Sequence, residues 1–298
     1  MEVTTVPKAV PQIVLRDAWL AGRSDSVRRR VGRTSGDDAL VSSVLASGWP
    51  DTGFVSGSGL PVVAVSRDAQ AELDLSCWPA TLPCVRQILD DGLELGSLTI
   101  LVGENGSGKS TLIEAIAQRF GLSPEGGSTG ARHATRASES SLWQALSLRR
   151  GVAASKWGFF LRAETMHGYY SYLEENPSTS RRALEPVFHE MSHGESFIEV
   201  LNTRFTGPGL FVLDEPESAL SFTGSLALVG ILARIARSAT AQAIVATHSP
   251  VIAATPGARI LEIDESGLAE RSWSDLDLVA NWTTFLDNPS LYLRHLTD

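Results

Sequence analysis

One stretch, Gly103-Glu-Asn-Gly-Ser-Gly-Lys109-Ser110, constrains this chain more than any other. It fits G-x-x-x-x-G-K-[ST] at every fixed position. The run LGSLTILVG (Leu95 to Gly103) before it is apolar enough for a strand buried on both faces, and TLIEAIAQRF after it has helical character. In a strand–loop–helix setting, glycines let backbone N–H groups turn inward around phosphate oxygens. The helix N-terminus adds partial positive charge. The sequence therefore predicts a nucleotide site formed by Gly103, Glu104, Asn105, Gly106, Ser107, Gly108, Lys109, Ser110 and Thr111. Lys109 is expected to reach the β- and γ-phosphates, and Ser110 to hold Mg2+ through its hydroxyl.

Two later segments complete the chemistry. Leu210-Phe-Val-Leu-Asp214-Glu215-Pro216 carries a buried strand to its C-terminal edge, where ligands gather in open α/β sheets. Asp214 is expected beside the metal, and Glu215 to act as general base toward the attacking water. Ala246-Thr247-His248-Ser249-Pro250 again ends an apolar run. His248 at that edge can hydrogen-bond a γ-phosphate and hold the water.

These elements occur in the order found in ABC ATPases: Walker A at Gly103–Ser110, Walker B with its glutamate at Asp214–Glu215, and a switch-like His248. Between them, Glu190-Met-Ser192-His193-Gly194-Glu195-Ser196 resembles the ABC signature loop. GENGSGKSTLIEAIA, GFFLRAE, MSHGESF, LDEPESALS, ATHSP and FLDNPSLYLRHL also resemble the soluble bacterial "predicted ATPase" family of AAA-type, ABC-like proteins, over about residues 58 to 298. The resemblance implies an α/β P-loop NTPase with a RecA-like ABC-ATPase core. An antiparallel β region is expected before the P-loop, and a small helical subdomain around residues 165 to 195 would present the signature. It implies an Mg2+-dependent ATPase in which two chains sandwich ATP. Ser192, His193, Gly194 and Glu195 would then act in trans on the nucleotide held by the partner's P-loop.

The pattern departs from that of transporters at four places. His193 stands for the first Gly of the signature pair, Glu195 for its Gln, and Ser221 for an Asp. The strand GFFLRAE ends in Arg162-Ala163-Glu164 instead of a Gln loop. Glu164 is a candidate for the metal-side position. Arg162 is read as pairing with a phosphate or with Glu164, and Trp78 as facing the base or as a core or interface residue.

The remainder of the chain bounds the reading. Residues 1 to 57 are Arg-rich and weakly periodic, and are expected to form a flexible extension ahead of an ATPase domain at 58 to 298. Cys77 and Cys84 are read as reduced structural thiols, which points to the cytoplasm. The longest apolar stretch, within SLALVGILARIA, is about half the length a membrane span needs. A net charge of −9 argues against coating duplex DNA, although a local nucleic-acid groove is compatible with it. Beside the stand-alone ATPase cycling as a homodimer stand two alternatives. One is an ATP-gated module acting with nucleic acid, as in repair or defence. The other is the energising subunit of a transporter. The intervals around the signature and after His248 are short for the coiled coil or nuclease domain of large repair ATPases.

Overall fold

The computed structural model describes residues 59–129, 140–162, 198 and 201–294. Residues 1–57, the segment around 165–195 that is expected to be helical, Glu164 and the signature residues Ser192, His193, Gly194 and Glu195 lie outside the described residues.

Four strands form the centre: β3 (Leu98–Gly103), β6 (Gly158–Arg162), β7 (Gly209–Asp214) and β8 (Ala241–Thr247). Each is nearly continuously apolar, because a parallel strand covered on both faces has no solvent side to alternate toward. With β4 (Gly127–Ser128), β9 (Arg259–Asp264) and β10 (Gly267–Glu270) they make a sheet of order β10-β9-β3-β8-β7-β6-β4. The inner five, β9 to β6, run parallel, and β10 and β4 close the two edges antiparallel.

Alternate residues of these strands feed two cores. Ile100, Phe159, Phe211 and Val245 face helix α4 (Phe222–Ala236), which contributes Leu228, Ile231 and Leu232. Leu101, Phe160, Val212 and Ile244 face α1 (Pro83–Asp91) and α2 (Lys109–Phe120), which contribute Val85, Ile88, Ile113 and Ile116. Phe159, Phe160 and Phe211 are fully buried. Each such side chain stabilises the fold by about 2 kcal/mol relative to remaining in water.

A second, antiparallel sheet packs beside the α2 face, ordered β2-β1-β5, from β1 (Ala64–Arg67), β2 (Leu93–Glu94) and β5 (Leu146–Arg149). The antiparallel region expected before the P-loop is thus present, but its third strand comes from after the loop. A long helix does not follow β7 directly. Residues Pro216–Ala219 form a 3-10 turn, and Ser221 caps α4 by accepting the Gly224 N–H at 3.1 Å. Ser221, singled out as replacing an Asp, is therefore a helix N-cap. Helices α3 (Leu142–Ala145), α5 (Pro250–Ala253), α6 (Asp277–Asp287) and α7 (Ser290–Leu293) complete the described fold. No helix among the described residues is long and apolar enough to cross a membrane.

Gln242 on β8 joins the central sheet to the segments leading into the smaller one. Its amide donates to the Val62 and Gly96 carbonyls at 2.6 and 2.8 Å and accepts the Val62 N–H at 2.8 Å. All of this is buried, so no water replaces a lost partner. Gln242→Leu should lower the unfolding free energy by about 3 kcal/mol, read as a reduced urea midpoint with unchanged slope.

Candidate nucleotide site

The parallel register brings the sequence-predicted residues to one edge. Val102 pairs with Thr247, Asp214 with Ala246, and Arg162 with Asp214, so β3, β8, β7 and β6 end at the same level. β8 separates the P-loop strand from the carboxylate strand. The loop that follows β8, bearing His248, therefore lies between them.

Lys109 opens α2 and is almost wholly buried, at 3% exposure. Its Nζ folds back to donate to the carbonyls of Gly103 and Glu104, both at 2.8 Å. Burial pulls the ammonium below the usual lysine range, and the carboxylates of Glu215, Asp214 and Glu217 oppose that pull. Glu104, Asn105 and Gly106 are exposed at the loop tip, whereas Ser107, Ser110 and Thr111 are half-buried. Ser107 Oγ is buried and has no hydrogen-bond partner among the described residues. Gly108 has φ +103°, and a Cβ there would lie 2.9 Å from Cys84 Sγ. Conformation and space both require glycine at this position. Cys84 supports the loop from beneath, its thiol donating to the Ser107 carbonyl at 3.3 Å. Burial pushes that thiol above its ordinary pKa, as expected of an inert structural cysteine.

Ser110 Oγ donates to Asp214 Oδ1 at 2.9 Å, joining the first turn of α2 to the end of β7. Asp214 Oδ2 lies 3.4 Å from Arg162, whose other terminal nitrogen bonds Glu114 Oε2 at 2.7 Å and the Pro124 carbonyl at 3.2 Å. Arg162 thus pairs with Glu114 and Asp214, two partners that the sequence did not suggest. Glu114 carried no sequence signal, because its partner lies far along the chain and only the packing of α2 on β6 brings them together.

Glu215 follows β7 with left-handed backbone angles of φ 47° and ψ 51°. For a residue with a Cβ this costs about 1–2 kcal/mol, so the surrounding contacts must hold it. One of them is the bond from its N–H to the Ala246 carbonyl at 2.9 Å. The carboxylate is 3.4 Å from His248 Nε2. That nitrogen is buried and lies within ion-pairing range, yet is not aligned for a hydrogen bond. Glu217, which the sequence did not single out, accepts both the Thr247 hydroxyl and the His248 backbone N–H. Trp78 is 59% exposed, so it is not a core residue.

The donors fit the expected ligands. A buried lysine that, among the described residues, bonds two carbonyls and lies beside an unpartnered serine hydroxyl suits an anion. A hydroxyl and a carboxylate in contact offer the hard oxygen donors that Mg2+ takes, usually with several waters retained.

A family model described as "ABC transporter" matches residues 88–218, which span the P-loop and Asp214–Glu215. Two solved structures are also similar. The SMC head domain from Thermotoga maritima is 17% identical, covering 60% of this chain and 92% of that one, with a TM-score of 0.33. A putative metal-chelate type ABC transporter in an inward-facing conformation is 17% identical, covering 66% and 80%, with a TM-score of 0.36. No curated protein matches. The fold is that of P-loop NTPases of the ABC-ATPase type, and the protein binds and hydrolyses ATP.

Lys109→Ala should remove the rise in melting temperature that ATP confers on the wild type. At ATP one hundred times above Kd, that rise corresponds to about 2.7 kcal/mol in the wild type and to little in the variant.

Proposed function

We propose that this chain is a stand-alone cytoplasmic ATPase, of the soluble "predicted ATPase" kind, that cycles through a homodimer closed around ATP. The convergence of Lys109, Ser110, Asp214, Glu215 and His248 on one sheet edge carries this reading. On it, Lys109 leaves the Gly103 and Glu104 carbonyls for the β- and γ-phosphates, exchanging neutral acceptors for charged ones. The backbone N–H groups from Gly103 to Thr111 hold the remaining phosphate oxygens. Ser110 and Asp214 would hold Mg2+, with Glu164 a further candidate, and the ion would supply positive charge at the phosphates. Glu215 takes the proton of the attacking water. The water oxygen bonds to the γ-phosphorus as the bond to the ADP oxygen breaks, and His248 orients water and phosphate.

The partner's Ser192–Glu195 segment would complete each site in trans, with residues 58 to 298 acting as the ATPase domain and 1 to 57 as its extension. A helix N-terminus brought to a phosphate only on closure makes dimerisation depend on ATP. The description of the matched family favours a second reading, the energising subunit of a transporter. That reading expects activity to require a membrane partner.

Glu215→Gln keeps the shape of the base and removes its basicity. It should bind Mg-ATP, lose about 100-fold or more in turnover, and run as a dimer in light scattering only with ATP. A monomer at saturating ATP and high protein concentration would sink the sandwich mechanism. Wild-type protein that hydrolyses ATP without a membrane fraction would disfavour the transporter reading.

Trp78 is our candidate for stacking on adenine. It is exposed, and Leu82, in the turn that leads from it into α1, packs against Gly108 of the P-loop. Trp78→Ala should raise the KM for ATP by about 10-fold or more while Trp78→Phe stays near wild type, since base–aromatic stacking contributes about 1–3 kcal/mol. An unchanged KM in the alanine variant removes Trp78 from the site.

A further inference from the structure

Glu217 makes the contacts that the reaction outlined above leaves unexplained. It lies in the turn Pro216–Ala219, just past Glu215. One carboxylate oxygen accepts the Thr247 hydroxyl at 2.8 Å, and the other accepts the backbone N–H of His248. Thr247 Oγ1 in turn accepts the Ser249 N–H at 3.0 Å. One carboxylate therefore fixes the consecutive residues Thr247, His248 and Ser249.

The left-handed backbone of Glu215 permits this. It ends β7 and turns the following residues back toward β8, where the Glu215 N–H already meets the Ala246 carbonyl. β8 does not need the clamp for its own pairing. Ala246 is in register with Asp214 and Thr247 with Val102, so the ladder is complete on both sides up to that point. The clamp acts on the first residue beyond the ladder, which is His248. The chemistry suits a carboxylate, because both groups facing it are donors and each carboxylate oxygen takes one. His248 Nε2 is left buried, without a hydrogen bond among the described residues, 3.4 Å from Glu215 Oε1.

We infer that Glu217 is a positioning residue for hydrolysis, which locks His248 so that its imidazole and the Glu215 carboxylate address the same water. The inference rests on the roles proposed above for Glu215 and His248. Glu217 itself touches neither water nor phosphate in this scheme. Its contribution is the placement of a ring whose displacement by about 1 Å can cost about 100-fold in rate.

The test is steady-state Mg-ATP hydrolysis by the full chain carrying Glu217→Ala, Glu217→Gln, Glu217→Asp, His248→Ala, or Glu217→Ala with His248→Ala, each with a thermal melt. Glu217→Ala should lower kcat by about 10–100-fold with KM within about twofold. Gln retains the reach: its amide oxygen accepts the His248 N–H, and its NH2 donates to Thr247 Oγ1 once that hydroxyl turns. It should recover most of kcat. Asp keeps the charge but is one methylene short, and should lose kcat as Ala does. In the His248→Ala background, Glu217→Ala should cost less than about twofold, because the group it positions is gone.

Should Glu217→Ala melt below the assay temperature, the Gln and Asp variants carry the comparison. Turnover higher in Asp than in Gln would mean that charge, not reach, matters, and overturns the inference. So do losses that multiply in the double variant, or wild-type kcat in Glu217→Ala beside a slow His248→Ala. A His248→Ala variant with wild-type turnover instead removes the role proposed for His248, and Glu217 loses its function with it.

Discussion

The site depends on parallel register. In a parallel ladder successive strands start and stop together only if their pairing is in step, and here Val102, Thr247, Asp214 and Arg162 fall at one level. A slip by one residue would turn each strand's apolar set to the opposite face. Ile100, Phe211 and Phe159 would then leave one core while Leu101, Val212 and Phe160 left the other. Two filled cores therefore fix the register, and the register fixes the distance between the P-loop and the carboxylates. The hydrophobic interior and the chemistry of the edge are one constraint seen from two sides.

Among the described residues, the two cations at that edge have partners within the chain. Lys109 rests on two carbonyls, and Arg162 lies between Glu114 and Asp214. A buried ammonium without such partners would be strongly unfavourable, which is why its pKa falls even with them. Phosphate supplies stronger partners for Lys109, so the site has a reason to reorganise on binding. Arg162 belongs to a different set of contacts. Its bonds to Glu114 and to the Pro124 carbonyl tie β6 to α2 and to the loop beyond it. It thereby holds Asp214 beneath Ser110 by a route that excludes the P-loop.

The left-handed Glu215 links this edge to β8. One unfavourable residue between β7 and the 3-10 turn allows its own N–H to bond Ala246, and Glu217 to bond Thr247 and His248. Strain in a single residue is tolerated when several hydrogen bonds over-determine it, and such residues cluster at sites where position matters. Glu215, the His248 imidazole and Glu217 are thus three parts of one connection between neighbouring strands.

Much of this was legible in the chain itself, and the reasons are local. Lys109 and Ser110 announce themselves because a phosphate loop needs fixed residue types at fixed spacing. Asp214, Glu215 and His248 do so because each ends an apolar run, and apolar runs of that length become buried parallel strands. The same logic gave the strand–helix alternation, and the order of the motifs gave the resemblance to ABC ATPases. Other features had no local mark. Glu114 and Arg162 meet only when α2 packs across β6, and Glu217 reads as one more turn residue until Glu215 bends the chain toward Thr247. Cys84 reads as an ordinary buried thiol until α1 sets it against Gly108. The sequence by itself determined which residues could handle a phosphate and on which strands they sit, since those depend on residue type and period. Only the tertiary structure decided that Glu114 and Asp214 pair with Arg162 and that Glu217 bonds the His248 loop, because such contacts join positions whose proximity is set by packing and register.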